Sequence, residues 1–409
     1  MTPSAGPGRR HLVLFALIYA VQGVVVGYLF NFNKPFLRAS GLGVGEIGAV
    51  QSLALLPLAL KFLVGPFSDR FRLFGLGHRL PYMVAGLLTQ AVGLLGMAAV
   101  DPGGSIGRFA ACAVLAVVGL SIYDTCCDGM VVDVTPPDGR ARVQGVLWTS
   151  RFLSATLATL GFGVWLDRLG GPAHADRILV ACAAFTLVPV GLALTLREPP
   201  RRARGDDGFA WSAATVMLRP WSLALLAFGG LYGASALGVE SNLSLLYDHN
   251  GLGGGADLGR LGAGRNLGRA CGAAVLPLAV AWLPRRLVLT AGVVGLAGAI
   301  AGQTWRVPGP GALALSLGFG LMLGWNDTLF AALAMEAAHP RLAASTFALF
   351  MAVSNLGVVG DAVFARGVDL SGGFRIPTFV AAGVTLACLP LVVPLGRPGP
   401  EADPAESPA

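Results

Sequence analysis

The sequence predicts an all-α integral membrane protein of twelve transmembrane helices in two six-helix bundles. Three observations carry that expectation. Composition comes first: 55% of the 409 residues are hydrophobic and only 12% are Asp, Glu, Lys or Arg, with a mean hydropathy of +0.69. Soluble domains hold roughly 25% charged residues, so most of this surface must face lipid. Second, apolar runs of about 20 residues, the length that crosses a bilayer, recur along the whole chain. Third, part of the first half repeats in the second.

The apolar runs fall near 11–31, 45–67, 81–100, 108–133, 142–165 and 178–196, then near 220–240, 258–282, 287–305, 312–336, 342–365 and 376–395. The first lacks a small-residue cleavage site and is followed by eleven others, so it reads as a span and not as a removable leader. Six runs lie on each side of REPPRRARGDDG, Arg197 to Gly208, the most polar and basic interior stretch. The expected organisation is an N-terminal bundle over 1–196, a cytoplasmic linker over 197–219 and a C-terminal bundle over 220–395. The Pro-, Ala- and acid-rich tail, 396–409, is expected to be disordered. The 58 Gly and 26 Pro suit helices that pack closely or bend within a bilayer.

Basic residues set the orientation. With both termini inside, 16 Lys and Arg fall in cytoplasmic segments and nine outside, Lys34 and Arg38 among the latter. This points to the inner membrane of a cell with both termini cytoplasmic. The net charge of +7 is spread over the short breaks between spans and forms no patch, which argues against nucleic acid as a partner. All six cysteines lie in apolar segments without metal-ligand spacing and read as small apolar fillers. GAGRNLG, Gly262 to Gly268, looks superficially like a dinucleotide loop, but no βαβ unit surrounds it and its third glycine comes one place late. No cofactor and no metal site is expected, and the chain is not expected to be an enzyme.

The repeat is clearest in the fourth span of each half. YDTCCDGMVVDVTPP, Tyr123 to Pro137, aligns without gaps to NDTLFAALAMEAAHP, Asn326 to Pro340. Asp124 falls on Asp327 and Asp133 on Glu336. Two parallel six-helix repeats joined by a basic cytoplasmic loop are the architecture of the major facilitator fold, with its substrate site near the midplane.

A charge at mid-bilayer costs roughly 3 kcal/mol on insertion scales, so each one should face a cavity or a partner. Asp124 and Asp128 stand four apart on one helix face, and by depth Lys61 and Arg151 can meet them inside the first bundle. These four are the proton-coupling candidates. A carboxylate that sheds its partner away from water takes up a proton, and one that regains it gives the proton up. A fixed salt-bridge cluster holding the helices together is the competing reading.

In the eighth span Arg265 and Arg269 are also four apart. Two guanidinium groups on one face invite an anionic ligand, with pairing to Asp327, Asp361 or Glu240 as the alternative. Arg265, Arg269 and Asp327, with the polar residues Gln22 and Asn355, form the substrate-binding set. Asn31 and Asn33 are further polar positions on the path. Asp69, Arg70, Asp133, Arg142 and Glu336 lie at inner helix ends, where acid–arginine pairs can latch one conformation, and make up an expected gate.

LPLALKFLVGPFSDRFRLFGLGHRLPY, Leu56 to Tyr82, resembles the second-span and loop region of the muropeptide permeases and acetyl-CoA transporters, a branch of the major facilitator superfamily. That branch shows a lysine before an apolar run, then Pro, Asp-Arg and a Gly-Arg-Arg-rich turn. The acids four apart in YDTCCDGMVVD and the fifth-span Arg151 fit the same branch. The resemblance covers roughly residues 30 to 160. His78 and Leu80 stand where the branch usually carries basic residues, and the second half shows no muropeptide signature. Pterin/folate carriers and chlorophyll-associated membrane proteins are similar, more distant relatives. The resemblance implies proton-coupled carriage.

The sequence therefore leads to a secondary transporter that moves a small anionic metabolite by alternating access, driven by protons. The expected partners are that substrate, protons and the lipid bilayer, and the expected state is a monomer. A scaffold, assembly factor or sensor that keeps the fold without transporting is the alternative class.

Overall fold

The computed structural model describes residues 8–64, 67–68, 71, 73, 79–135, 137–198, 218–337, 343–355, 357–397 and 399. Of the expected gate, Asp69 and Arg70 lie outside the described residues, as do most of the linker and most of the tail.

The first half is built from α1 (Arg9–Asn31), α2 (Asn33–Ala39), α3 (Val44–Ala59), α4 (Leu80–Ala99), α5 (Ile106–Val134), α6 (Pro137–Leu169) and α7 (Asp176–Ala193). The second half holds α8 (Pro220–His249), α9 (Gly255–Trp282), α10 (Arg285–Gly302) and α11 (Gly309–Ala337). It ends with α12 (Ala343–Asn355), α13 (Val358–Ser371), α14 (Arg375–Leu386) and α15 (Val392–Leu395). Among the described residues, 10 helices are long and apolar enough to cross a membrane. The fifth and eighth predicted spans are helices too, α6 of 33 residues and α9 of 28, and both carry the charges and polar residues that lower their hydropathy.

Four predicted spans are not single straight helices; the twelfth runs as α14, a 3₁₀ turn at Leu389–Leu391 and α15. The first continues through α2 to Ala39, so Lys34, counted by sequence among the external residues, lies in this 31-residue span and is 1% exposed. The second contains Pro57, which cannot donate to its ladder. Shortly after it the α-helix ends at Ala59, and Lys61–Leu63 form a 3₁₀ turn. In the eleventh, Gly357 forms a turn before α13 begins at Val358.

The chain forms two compact units, Met1–Ala203 with Ser241–Asn266, and Arg204–Glu240 with Leu267–Ala409. In the first, α4 packs on α5 and α7, α1 on α6, and α3 on α5. Glycines permit the approach. A side chain at Gly86 would meet the backbone of Gly119, and one at Gly119 the backbone of Gly86 and Gln90. The opposite face of α4 presents Leu88, Val92 and Leu95 outward, the apolar stripe that a lipid-facing helix requires. The start of α4 is capped from a distance: the Glu198 carboxylate accepts the backbone N–H groups of Arg79 and Leu80 at 3.0 and 3.2 Å, an anion placed at the positive end of the helix dipole. In the second unit α10 packs on α11 and α14. All six cysteines are free thiols.

Candidate functional site

One turn of α5 separates Asp124 from Asp128, and α1 meets both with residues three apart. Gln22 donates from Nε2 to Asp124 Oδ1 at 2.6 Å, and the Tyr19 hydroxyl donates to Asp128 Oδ1 at 2.5 Å. The i, i+3 spacing on α1 and the i, i+4 spacing on α5 place two donors opposite two acceptors. The other oxygen of Asp124 takes Lys61 Nζ at 3.0 Å. The break after Pro57 puts this lysine on the 3₁₀ turn, whose Lys61 carbonyl lies 3.5 Å from Thr125 Oγ1 of α5. Asp124 is 7% exposed and is satisfied on both oxygens. Among the described residues Asp128 makes no ion pair; its short bond is to a neutral hydroxyl.

Arg151 reaches this group from α6. Both aspartates and Lys61 feel its charge, yet its guanidinium is held over the ring of Trp148, 5.2 Å from the centroid. The four residues expected to couple protons are thus brought together: Lys61 and Asp124 in direct contact, Asp128 one helical turn along α5 and bonded to Tyr19, and Arg151 at longer range. Sequence reasoning missed Tyr19 and Trp148. The signal for Tyr19 was available, since it precedes Gln22 by three on the same helix.

The second unit carries a parallel arrangement. Arg269 Nε and Nη2 donate to Asp327 Oδ2 at 2.8 and 2.6 Å, and Nη1 donates to Glu240 Oε1 at 3.2 Å. The Tyr232 hydroxyl lies 3.5 Å from Asp327 Oδ1. A cation from the second span of the repeat, an acid from the fourth and a tyrosine from the first therefore recur in both halves. The acids four apart do not recur: Glu240, from α8, supplies the second carboxylate.

Arg265 and Arg269 do not act as one pair of open guanidinium groups. Arg269 is engaged by two carboxylates, the pairing that the sequence left as the alternative. Arg265 is 2% exposed and donates from Nη2 to Asn31 Oδ1 at 2.8 Å, while Asn31 donates in turn to the Gly27 carbonyl. Asn33 donates to Gln51, which donates to the Leu29 carbonyl. Lys34 donates to Asn242 at 2.8 Å. Asn355 is half-buried at the end of α12.

Of the gate residues, Asp133 and Arg142 fall in α5 and α6 with side chains outside the described residues. Glu336 pairs with Arg285 at 2.8 Å and accepts the backbone N–H of Gly399 at 2.6 Å. Arg79, from the loop that carries the family resemblance, is buried and donates to Ser68 Oγ at 2.8 Å.

With this geometry established, the comparisons place the chain. A bacterial homologue of the human lysosomal transporter Spinster superposes with a TM-score of 0.75 at 15% identity, over 96% of this chain and 98% of that one. The nucleoside transporter NupG gives 0.75 at 12% identity, over 95% and 99%. The xylose transporter XylE from E. coli gives 0.67 at 14%, over 93% and 94%. At these identities the likeness shows the fold alone. A folate-biopterin transporter from Synechocystis sp. is 28% identical over 193 residues, 46% of this chain and 37% of that protein's length. The chain thus matches little more than a third of the length of that relative, and the muropeptide permease branch is not singled out. The family model described as Major Facilitator Superfamily matches residues 13–360. This multi-pass membrane protein belongs to the Major Facilitator Superfamily.

Proposed function

We propose that the protein is a secondary active transporter that carries a small anionic metabolite by alternating access and couples it to protons. The observation that carries the reading is the buried polar set of the first unit: Asp124 locked between Lys61 and Gln22, and Asp128 held by Tyr19 without a cation. Charges at membrane depth are costly, and a protein that only needed to pack its helices would not require two adjacent carboxylates with different partners.

The two carboxylates divide the work. Asp124 cannot change its charge without breaking the Lys61 ion pair. Asp128 can gain or lose a proton while Tyr19 keeps its hydrogen bond, because a hydroxyl can donate to a carboxylate and accept from a carboxylic acid. Asp128 is therefore the proton-exchange group, and the Lys61–Asp124 pair is the element that senses it one helical turn away. Arg151 adds a second cation to the group at longer range.

Arg265, Arg269, Asp327, Gln22 and Asn355 remain the substrate-facing set of the proposal, with Arg269 reached only if ligand displaces a carboxylate. Asp69, Arg70, Asp133, Arg142 and Glu336 form the inner gate, to which the Arg285–Glu336 pair adds one arginine. The bundles are assigned to 1–196 and 220–395, the protein to the inner membrane as a monomer with both termini cytoplasmic. The partial match to a folate-biopterin transporter supports an organic anion as substrate.

Uptake into proteoliposomes tests this reading. Labelled amino-sugar acids, acyl-CoA, folates and organic acids would be offered with an inward proton gradient. Accumulation of one of them above its outside concentration, lost when the gradient is collapsed, supports coupled transport. Accumulation to equality only, with or without a gradient, overturns the coupling. No uptake of any compound favours the scaffold class.

A further inference from the structure

The Arg151 guanidinium makes no hydrogen bond and no ion pair among the described residues, although it lies within a membrane-spanning helix. Its contact is the face of Trp148, 5.2 Å away. Trp148 in turn stacks on Phe152, with ring centroids 5.4 Å apart and an interplanar angle of 25°, and meets Tyr19 edge-on at 6.3 Å. Tyr19 is the residue whose hydroxyl holds Asp128. A continuous wall runs from a carboxylate through two aromatic rings, Tyr19 and Trp148, to an arginine, with Phe152 stacked on the second ring.

Trp148 is 44% exposed, and the helix geometry shows to what. On α6 the outward apolar residues Val146, Leu153, Leu157, Leu160 and Val164 form one stripe at helical spacing. At 100° per residue Trp148 lies roughly half a turn away from that stripe. It shares its face with Ala155, Thr159 and Leu166, which are all buried. That face packs on α1, where a side chain at Gly23 would meet the Arg151 carbonyl, Ser154 and Ala155. The open area of Trp148 therefore lies on the α1 side of α6 and away from the lipid stripe. A part-open indole beside a guanidinium that makes no ion pair among the described residues, away from lipid, suits something flat and negative.

The geometry points to a ligand subsite in the first unit, in which the open part of Trp148 takes the face of a planar ring and Arg151 takes an anionic group attached to it. This deepens the anion-carrier reading above and rests on it. Arg151 becomes the substrate anchor of the first unit, and Asp128 lies at the far end of the same wall, where a ring N–H would find an acceptor. The ligand class is a planar aromatic or heteroaromatic anion.

Three probes separate ring from charge: 2-naphthoate, its neutral amide 2-naphthamide, and the saturated decahydro-2-naphthoate. Binding is measured by equilibrium dialysis against the protein in lipid nanodiscs, with empty nanodiscs subtracted. The wild type is expected to bind 2-naphthoate about tenfold more tightly than either analogue, the scale of a stacked ring or a charge-assisted pair. Trp148→Leu should abolish the preference for the flat ring and keep the preference for the acid, and Trp148→Tyr should retain both. Arg151→Gln should abolish the preference for the acid and keep the ring preference. Equal binding of 2-naphthoate and the saturated acid, both weakened in Arg151→Gln, overturns the ring platform and leaves the anion reading standing. Equal binding of acid and amide overturns both. Preferences that persist unchanged in Trp148→Leu and Arg151→Gln place the ligand elsewhere and overturn the subsite.

Discussion

Lys61 and Asp124 form a pair whose partners cannot be removed one at a time without consequence. Taking away one member of a buried ion pair leaves an uncompensated charge and costs about 3 kcal/mol or more, whereas replacing both with apolar residues is often neutral. Lys61→Met should therefore lower the thermal unfolding temperature in detergent, and Lys61→Met with Asp124→Leu should recover most of the loss. A double variant as unstable as the sum of its singles would show that the two side chains act independently. Arg269 leads to a second expectation. It is held by Glu240 and Asp327, so Arg269→Gln leaves two carboxylates facing each other. The variant should lose stability and bind transported anions less tightly. A variant that loses stability but binds those anions as the wild type does would take Arg269 out of the substrate path. The charged members of these clusters were legible because a charge in an apolar run announces itself. Their neutral partners were not, since a tyrosine or a tryptophan is an ordinary residue in a membrane helix. Only the spacing of Tyr19 and Gln22 against Asp124 and Asp128 marks them.

Among the helices, α1 and α6 bring the two sides of the candidate site together, and their approach depends on Gly23. A methyl there would meet the Arg151 carbonyl and Ser154. Gly23→Ala should cost about 1–3 kcal/mol through overpacking and shift Arg151 with the α6 backbone. Gly298, within α10, has open space where its side chain would be. Gly298→Ala should be neutral or stabilising by up to about 1 kcal/mol, because alanine is the better helix former. Thermal unfolding of the two variants checks this; equal effects would mean that the α1–α6 contact does not control the packing. Most helices were read from hydropathy with bounds within a few residues, but α8 runs to His249, past its predicted end near 240, and the first span runs to Ala39, past its predicted end near 31. The breaks within spans were not read from it. A window of apolar residues looks the same whether the backbone inside it is continuous or interrupted, so the 3₁₀ turn at Lys61 and the turn at Gly357 stayed invisible. Pro57 was the one residue that signalled the first of them. Lys34 was misplaced for the related reason that a charge read as a span's end lies inside a longer helix, bonded to Asn242.

Across the chain, composition, twelve apolar runs and an internal repeat were sufficient to name the architecture, because lipid imposes the same constraint on every span. The repeat also aligned Asp124 with Asp327, and each is paired with the cation of the second span in its half, a pairing the sequence left as an alternative. What it could not tell is that the two halves use the motif differently. The first keeps a carboxylate, Asp128, with a hydroxyl for its partner, and the second closes every carboxylate of its cluster onto Arg269. That asymmetry is the basis for assigning proton exchange to the first unit. The most direct measurement uses a pH-sensitive dye inside proteoliposomes and compares wild type with Asp128→Asn during addition of each transported anion. The account predicts acidification of the lumen by the wild type and none by the variant, with the variant still binding the anion. Acidification at the wild-type rate by Asp128→Asn would contradict it.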